Sequence, residues 1–267
     1  MNILVCIKQV PDTTEIRIDP NTNTLIRAGV PSIVNTFDTY ALETAVKIKD
    51  ADPGAKIVVA TMGPEQAKEA LKTCLSVGAD KAYLASDRAF GGSDTLATSY
   101  VLSCVVKELE KREGAPFDLI FCGKQAIDGD TGQVGPELAK HLDYPQITNA
   151  LEVTPEGGKI RARRETEDGY EVLEASLPVV VTVTKTAYEP RYASVKSKMA
   201  ANRAVITVLT AADFAIDTER TGLKGSPTKV KKTFVPQRKK GGVKLQEETG
   251  VLAAEKLTAF LSDAGVI

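Results

Sequence analysis

The chain has 267 residues, 43% of them hydrophobic and 26% charged, with a formal net charge of -1 at pH 7. That balance argues against a nucleic-acid binder, since the one basic run, Lys229 to Lys240, is short and reads as a solvated tail or a partner contact. No apolar stretch approaches the roughly 20 residues that cross a bilayer.

The chain starts with "MNILVCIKQVPD", apolar from its third residue and without a basic lead or a small-residue cleavage site. It reads as a first β-strand rather than a signal peptide. "EIRIDPNTNTLIRAG" then alternates with a two-residue period about a Pro-Asn-Thr-Asn turn, which predicts an inserted hairpin. "NTFDTYALETAVKIKD" carries Phe37, Tyr40, Ala41, Ala45 and Ile48 on one helical face, with Asn35 expected as its N-cap and Asp38 in its first turn. "KIVVATMG" is a second strand, followed by a helix that opens at Pro64 and stops at Gly78. "KAYLAS" is a third strand, and Ser93 is expected to cap the helix after it. "FDLIFCGKQ" is a fourth. Strand–helix alternation of this kind predicts an α/β fold, a parallel sheet with helices on both faces. After Ala150 the two-residue alternations of "LEVTPEGGKIRARRETEDGYEVLEASLPVVVTVT" predict a small antiparallel addition. From Thr210 to Thr249 little periodicity remains before the closing helix in "AAEKLTAFLSDAG". The expected division is a domain over 1–209 and an arm over 210–267 that packs on a partner chain.

The four cysteines, Cys6, Cys74, Cys104 and Cys122, lie in apolar segments without a C-x-x-C pair. They read as buried free thiols of a reducing, cytoplasmic setting, with no iron–sulfur cluster. The single His141 is expected as a surface or helix-C-terminal charge, and no metal site is expected.

In an open parallel sheet ligands bind beyond the carboxyl ends of the strands. The loop "GKQAIDGDTGQV", 123–134, occupies such a position after the fourth strand. The helix expected to start near Thr131 or Gln133 offers backbone N–H groups to an anion, and Gly123, Gly129 and Gly132 permit close approach. Asp128 and Asp130 would repel a phosphate and are expected to cap the turn or bind ribose hydroxyls. The loop matches neither common glycine-rich phosphate motif, so a long Asp-capped turn stands beside the nucleotide reading.

"GKQAIDGDTGQVGPELA", "NILVCIKQVPD" and "EPRYASVKSKMAANR" together resemble the β subunit of electron-transfer flavoproteins, along essentially the whole chain. The resemblance implies a Rossmann-like fold related to adenine-nucleotide-binding domains. It also implies an obligate heterodimer with a flavin-carrying α subunit, and a pocket that holds AMP or a second FAD. Gly129, Asp130 and Thr131, with "SDRAFGGSDTLATS" at 86–99, resemble the flavin-bifurcating branch, in which FAD lies near a site for NAD(H). By resemblance the nucleotide contacts are Cys6, Asn35, Thr36, Phe37, Asp38, Met62, Gly63 and the loop of Gly123, Lys124, Gln125, Ala126, Ile127, Asp128, Gly129, Asp130, Thr131, Gly132, Gln133 and Val134. Asp94, Thr95 and Thr98 would approach phosphates or flavin, and Phe90, Gly91 and Gly92 would serve NAD(H). Thr36 stands where many relatives have Pro.

The flavin carries the redox chemistry in this family, with no catalytic side chain. In the bifurcating branch NADH gives hydride to the FAD. One electron passes to ferredoxin or flavodoxin, and the other goes through the α-subunit FAD to a dehydrogenase of the acyl-CoA, caffeyl-CoA or lactate class. The alternative is a non-bifurcating carrier with structural AMP. The segment 188–203 resembles the family's recognition loop, with Val195 at its tip. An apolar tip amid Arg191, Lys196 and Lys198 suits docking to an acidic rim. An adenine-nucleotide sensor of the universal-stress type is shorter and lacks both this loop and the arm.

Overall fold

A computed structural model describes residues 1–12, 31–231 and 242–267. The hairpin expected at 15–29 and most of the basic run at 229–240 lie outside the described residues. Contacts divide the chain into two compact units, with the boundary at Lys231/Lys232.

In the first unit, β1 (Asn2–Cys6) leads into β2 (Gln9–Pro11), which pairs antiparallel with β3 (Ser32–Val34). Helix α1 (Thr36–Ala51), β4 (Lys56–Met62), α2 (Lys68–Ser76), β5 (Lys81–Ala85), α3 (Thr95–Glu113), β6 (Leu119–Gly123) and α4 (Val134–Leu142) follow in alternation. The chain continues with β7 (Gln146–Glu156), β8 (Lys159–Thr166), β9 (Gly169–Ser176), β10 (Val179–Val183), α5 (Val195–Arg203), β11 (Thr207–Leu209) and the short α6 (Gly222–Gly225). The nine-stranded sheet runs β11-β5-β4-β1-β6-β10-β7-β8-β9, parallel as far as β7 and antiparallel beyond it. The expected α/β class is therefore observed.

Buried side chains form one layer on each side of this sheet. One face joins Val5, Ile57 and Val59 to Ala41 and Ala45 of α1 and Leu71 of α2. The other joins Leu4, Val58 and Ile120 to Val101 and Val105 of α3 and Leu138 of α4.

Three expectations are corrected. Val179–Val183 is a parallel strand between β6 and β7 and not part of the antiparallel addition. All five of its residues are buried, as a strand covered on both faces requires. Asp94, not Ser93, caps α3, its carboxylate accepting from Ala97 N at 3.0 Å. Finally, the stretch 210–231 belongs to the first unit: Phe214 is buried beside Phe90, and Thr221 and Ser226 are buried.

The second unit, in its described part, holds α7 (Gly250–Asp263), capped by Thr249 through Leu252 N. This is the expected closing helix. Within its unit α7 exposes Val251, Leu252, Leu257 and Phe260.

Candidate functional site

The chain runs outward from β1 to β4 and β5, then crosses back to β6 on the other side of β1. The carboxyl ends of β1 and β6 therefore flank the point where the strand order reverses, where such sheets open a crevice. Both loops at that point contribute, Ile7–Lys8 after β1 and 123–134 after β6.

Asn35 holds the two together. It occupies the N-cap position of α1 but makes no capping bond with its side chain, contrary to expectation. Its amide is 1% exposed and reaches across to the loop, where Nδ2 donates to Gln125 O at 2.8 Å and Oδ1 accepts from Ile127 N at 3.0 Å. The same Nδ2 donates to Asp38 Oδ1 at 2.9 Å. Asp38 is also buried and accepts from Gly123 N at 3.1 Å and from Lys8 N at 2.6 Å. Burial pushes its carboxyl up to about 7, against the pull of the Asn35, Lys8 and Gly123 donors and the Lys8 charge. Gly123 is glycine for a local reason, because a Cβ there would collide with Asp38 Oδ1 and lie 2.8 Å from the Phe37 carbonyl carbon. Its role is close packing of β6 against α1.

The loop's acidic residues are tied within the protein. Lys8 Nζ binds Asp128 at 2.6 Å, and Gln125 Nε2 donates to Asp130 at 2.9 Å. Lys124 turns toward Glu165 of β8 at 3.5 Å. The backbone then turns through left-handed conformations at Asp130 (φ 53) and Gly132 (φ 64) into α4. No acceptor among the described residues faces the backbone N–H groups of Thr131, Gly132, Gln133, Val134 or Gly135, and the first bond of α4 is Glu137 N to Gln133 O. Those N–H groups and the helix dipole are arranged as an anion would require. Gly129 has open space where a Cβ would project.

The start of α3 lies beside this surface. Thr95 Oγ1 donates to Gln133 Oε1 at 3.0 Å and lies 3.3 Å from Glu137 Oε1. The second Glu137 oxygen is buried without a partner among the described residues, and burial raises the pKa of the group. Thr61, near the end of β4, has a hydroxyl in the same unpartnered state. Cys6 is buried at the end of β1, and Met62 and Gly63 are half-buried at the end of β4.

Other expected contacts are occupied by structure. The Asp94 carboxylate accepts from Ala97 N and Thr228 N, and Thr98 N bonds back to Asp94 O inside α3. Phe90 is 4% exposed against Phe214, so its ring is core and not a surface for NAD(H). A Cβ on Gly92 would meet the exposed Leu223 side chain of α6 at 2.7 Å, so α6 covers one side of it. Gly91 and Gly92 are both exposed. His141 is not a surface charge. It lies half-buried in the last turn of α4 with its ring edge against Tyr100, and burial followed by Arg220 lowers its pKa. Sequence reasoning missed Glu137 as a member of the site and reached Lys8 by position only, without naming it as a contact. Lys8 carried a signal, because it directly follows the first strand at the point where loops converge.

The electron transfer flavoprotein domain model matches residues 22–214. The chain belongs to the electron transfer flavoprotein family, among its beta subunits. It is 53% identical over 249 residues to the electron transfer flavoprotein subunit beta of Megasphaera elsdenii, covering 93% of this chain and 92% of the relative. It is 47% identical over 267 residues, the whole of both chains, to the caffeyl-CoA reductase-Etf complex subunit CarD of Acetobacterium woodii. It is 48% identical over 241 residues to the protein FixA of Azotobacter vinelandii, covering 89% and 85% of the two chains. Among the described residues of this electron transfer flavoprotein chain, no helix is long and apolar enough to cross a membrane and no cluster of His, Cys, Asp or Glu could hold a metal.

The segment 188–203 leads into the short α5, capped by Ser194, with Val195 78% exposed at its first position. Lys196 and Lys198 are exposed beside it. Arg191 is not free to meet a partner, because its guanidinium is bound to Glu43 and Asp50 of α1.

Proposed function

We propose that the chain is the β subunit of a heterodimeric electron-transfer flavoprotein, paired with a flavin-carrying α subunit, and that its crevice between β1 and β6 binds FAD. The observation that carries this reading is the run of five N–H groups at 131–135 without a partner among the described residues, beside acidic side chains already tied to Lys8 and Gln125. They suit a phosphate or pyrophosphate. Asn35 and Asp38 set the loop's position from beneath, while Cys6 and Met62 give the crevice an apolar wall. A bound flavin supplies hydride acceptance from NADH and one-electron transfer. The chain's own residues bind it, orient it and shield it from water. In this reading electrons divide between a ferredoxin or flavodoxin and a flavin-linked dehydrogenase, and Val195, Lys196 and Lys198 dock the dehydrogenase. The relative named as a subunit of a caffeyl-CoA reductase-Etf complex supports an assembly of this type.

A specific observation favours a second reading, a carrier with AMP in the crevice. The buried Phe90 ring and the Leu223 contact at Gly92 narrow the room for a second dinucleotide beside the first. Flavin and AMP content per α–β pair separates the two. Two FAD, no AMP and bleaching by NADH are expected for bifurcation. One FAD with one AMP would overturn it.

A further inference from the structure

The segment before α5 is fastened along one face of α1. Tyr40 donates to Glu189 at 2.9 Å, the Thr44 and Tyr188 hydroxyls meet at 2.7 Å, and the Lys47 ammonium lies 4.8 Å from the Tyr188 ring centre. The strongest contact is that of Arg191. Its Nε lies 2.9 Å and its terminal nitrogen 3.0 Å from the two Glu43 oxygens, and that nitrogen also reaches Asp50 at 2.6 Å. The Arg191 backbone N–H binds Glu43 as well, at 3.0 Å. Glu43 is buried, so this forked pair has a fixed geometry that a surface ion pair lacks.

The far end is fastened separately, by Ala201 of α5, which is buried and lines a groove against Thr73 and Val77 at the end of α2. Between the two anchors the chain holds its apolar side chains outward: Tyr192 is 98% exposed, and Val195 and Met199 are exposed with it. Left to itself, a nine-residue helix with that pattern would be marginal in water. Anchors on both sides supply what its sequence does not.

We infer that Arg191 is a positioning residue, and that the Glu43–Arg191–Asp50 clamp holds 188–203 preformed, so that a partner meets a rigid docking surface and not a segment that folds on contact. The inference rests on the docking reading above for its purpose. Preforming lowers the ordering cost of association and leaves the cations nearest the tip, Lys196 and Lys198, free to steer.

Hydrogen exchange on the purified α–β complex tests it. Arg191→Ala is expected to speed amide exchange across 188–203, and trypsin cleavage after Lys196 and Lys198, at least tenfold, with 123–134 and bound nucleotide unchanged. Because that variant strands a buried Glu43, the pair Arg191→Ala with Glu43→Gln is measured too, and it should restore the melting temperature but not the protection. Arg191→Lys, which cannot reproduce the fork, should recover only part of it. Unchanged exchange in Arg191→Ala, or full protection in the pair, overturns the clamp. Val195→Asp leaves the clamp intact and tests the docking reading on its own. A tenfold rise in KM for an acyl-CoA dehydrogenase titrated as acceptor, with kcat and exchange unchanged, supports it. An unchanged KM overturns the docking reading while the clamp stands.

Discussion

Asn35→Ala removes the side chain that joins the loop after β6 to the start of α1. Three hydrogen bonds are lost at once, to Gln125 O, Ile127 N and Asp38 Oδ1. The two backbone groups belong to a half-exposed loop that can turn toward water, so each loss costs about 1 kcal/mol. The third bond is made to a buried carboxylate and is worth about 2 kcal/mol. Together these give about 4 kcal/mol, and the loss is local, since the bonds hold the loop and not the strands. The expectation is a lower urea midpoint together with AMP affinity weakened at least tenfold, because about 1.4 kcal/mol of the loss need fall on the loop geometry that presents 131–135 for that change. Urea unfolding and calorimetric titration with AMP, on wild type and variant, measure both. A variant within about 0.5 kcal/mol of wild type that binds AMP equally well would refute the reasoning and separate the loop from Asn35.

Asp38 supplies a pH dependence. Its folded pKa of about 7 exceeds the ordinary 3.8, so the folded state holds the proton more tightly. That contribution is fully present below 3.8 and is lost as pH rises through 7. Wild type should therefore lose stability relative to Asp38→Asn between pH 4 and 7, by up to about 1.4 kcal/mol per pH unit. Parallel urea midpoints across that range would exclude Asp38 as the source. Gly123→Ala should lower stability by about 2–3 kcal/mol, seen in its melting temperature, because β6 and α1 must separate to admit the methyl group beside Asp38. Gly129→Ala, with open space around it, should fold within about 0.5 kcal/mol of wild type yet purify with less nucleotide. Normal nucleotide content in that variant would place the ligand elsewhere.

The frame was legible because its elements obey local rules. β1, β4, β5 and β6 are short apolar runs that end at turn residues, and the helices between them carry apolar faces of helical period. Misreadings arose where long-range packing decides. "LPVVVTV" follows two strands of clear two-residue alternation and reads as their continuation, although an unbroken apolar run is the mark of a strand covered on both faces. The stretch 210–231 shows little periodicity because it holds its place through single contacts: Phe214 on Phe90, Leu223 over Gly92, and Ser226 accepting from Asp94 N. Nothing local in the sequence announces contacts of that range.

The site divides along the same line. A loop of Gly, Asp, Thr and Gln after a buried strand is legible from sequence as a turn into a helix start, since glycine conformations and a helix start are local properties. What each polar side chain binds is not local. Asn35 reads as a cap by position, yet its amide serves a loop some ninety residues on. Arg191 reads as a free cation beside an exposed valine, yet Glu43 and Asp50 hold it. Charged and amide groups are assigned by whichever partner the fold brings within 3 Å. A sequence can therefore mark this loop as a candidate site while leaving open which residues face a ligand and which ones hold those residues in place.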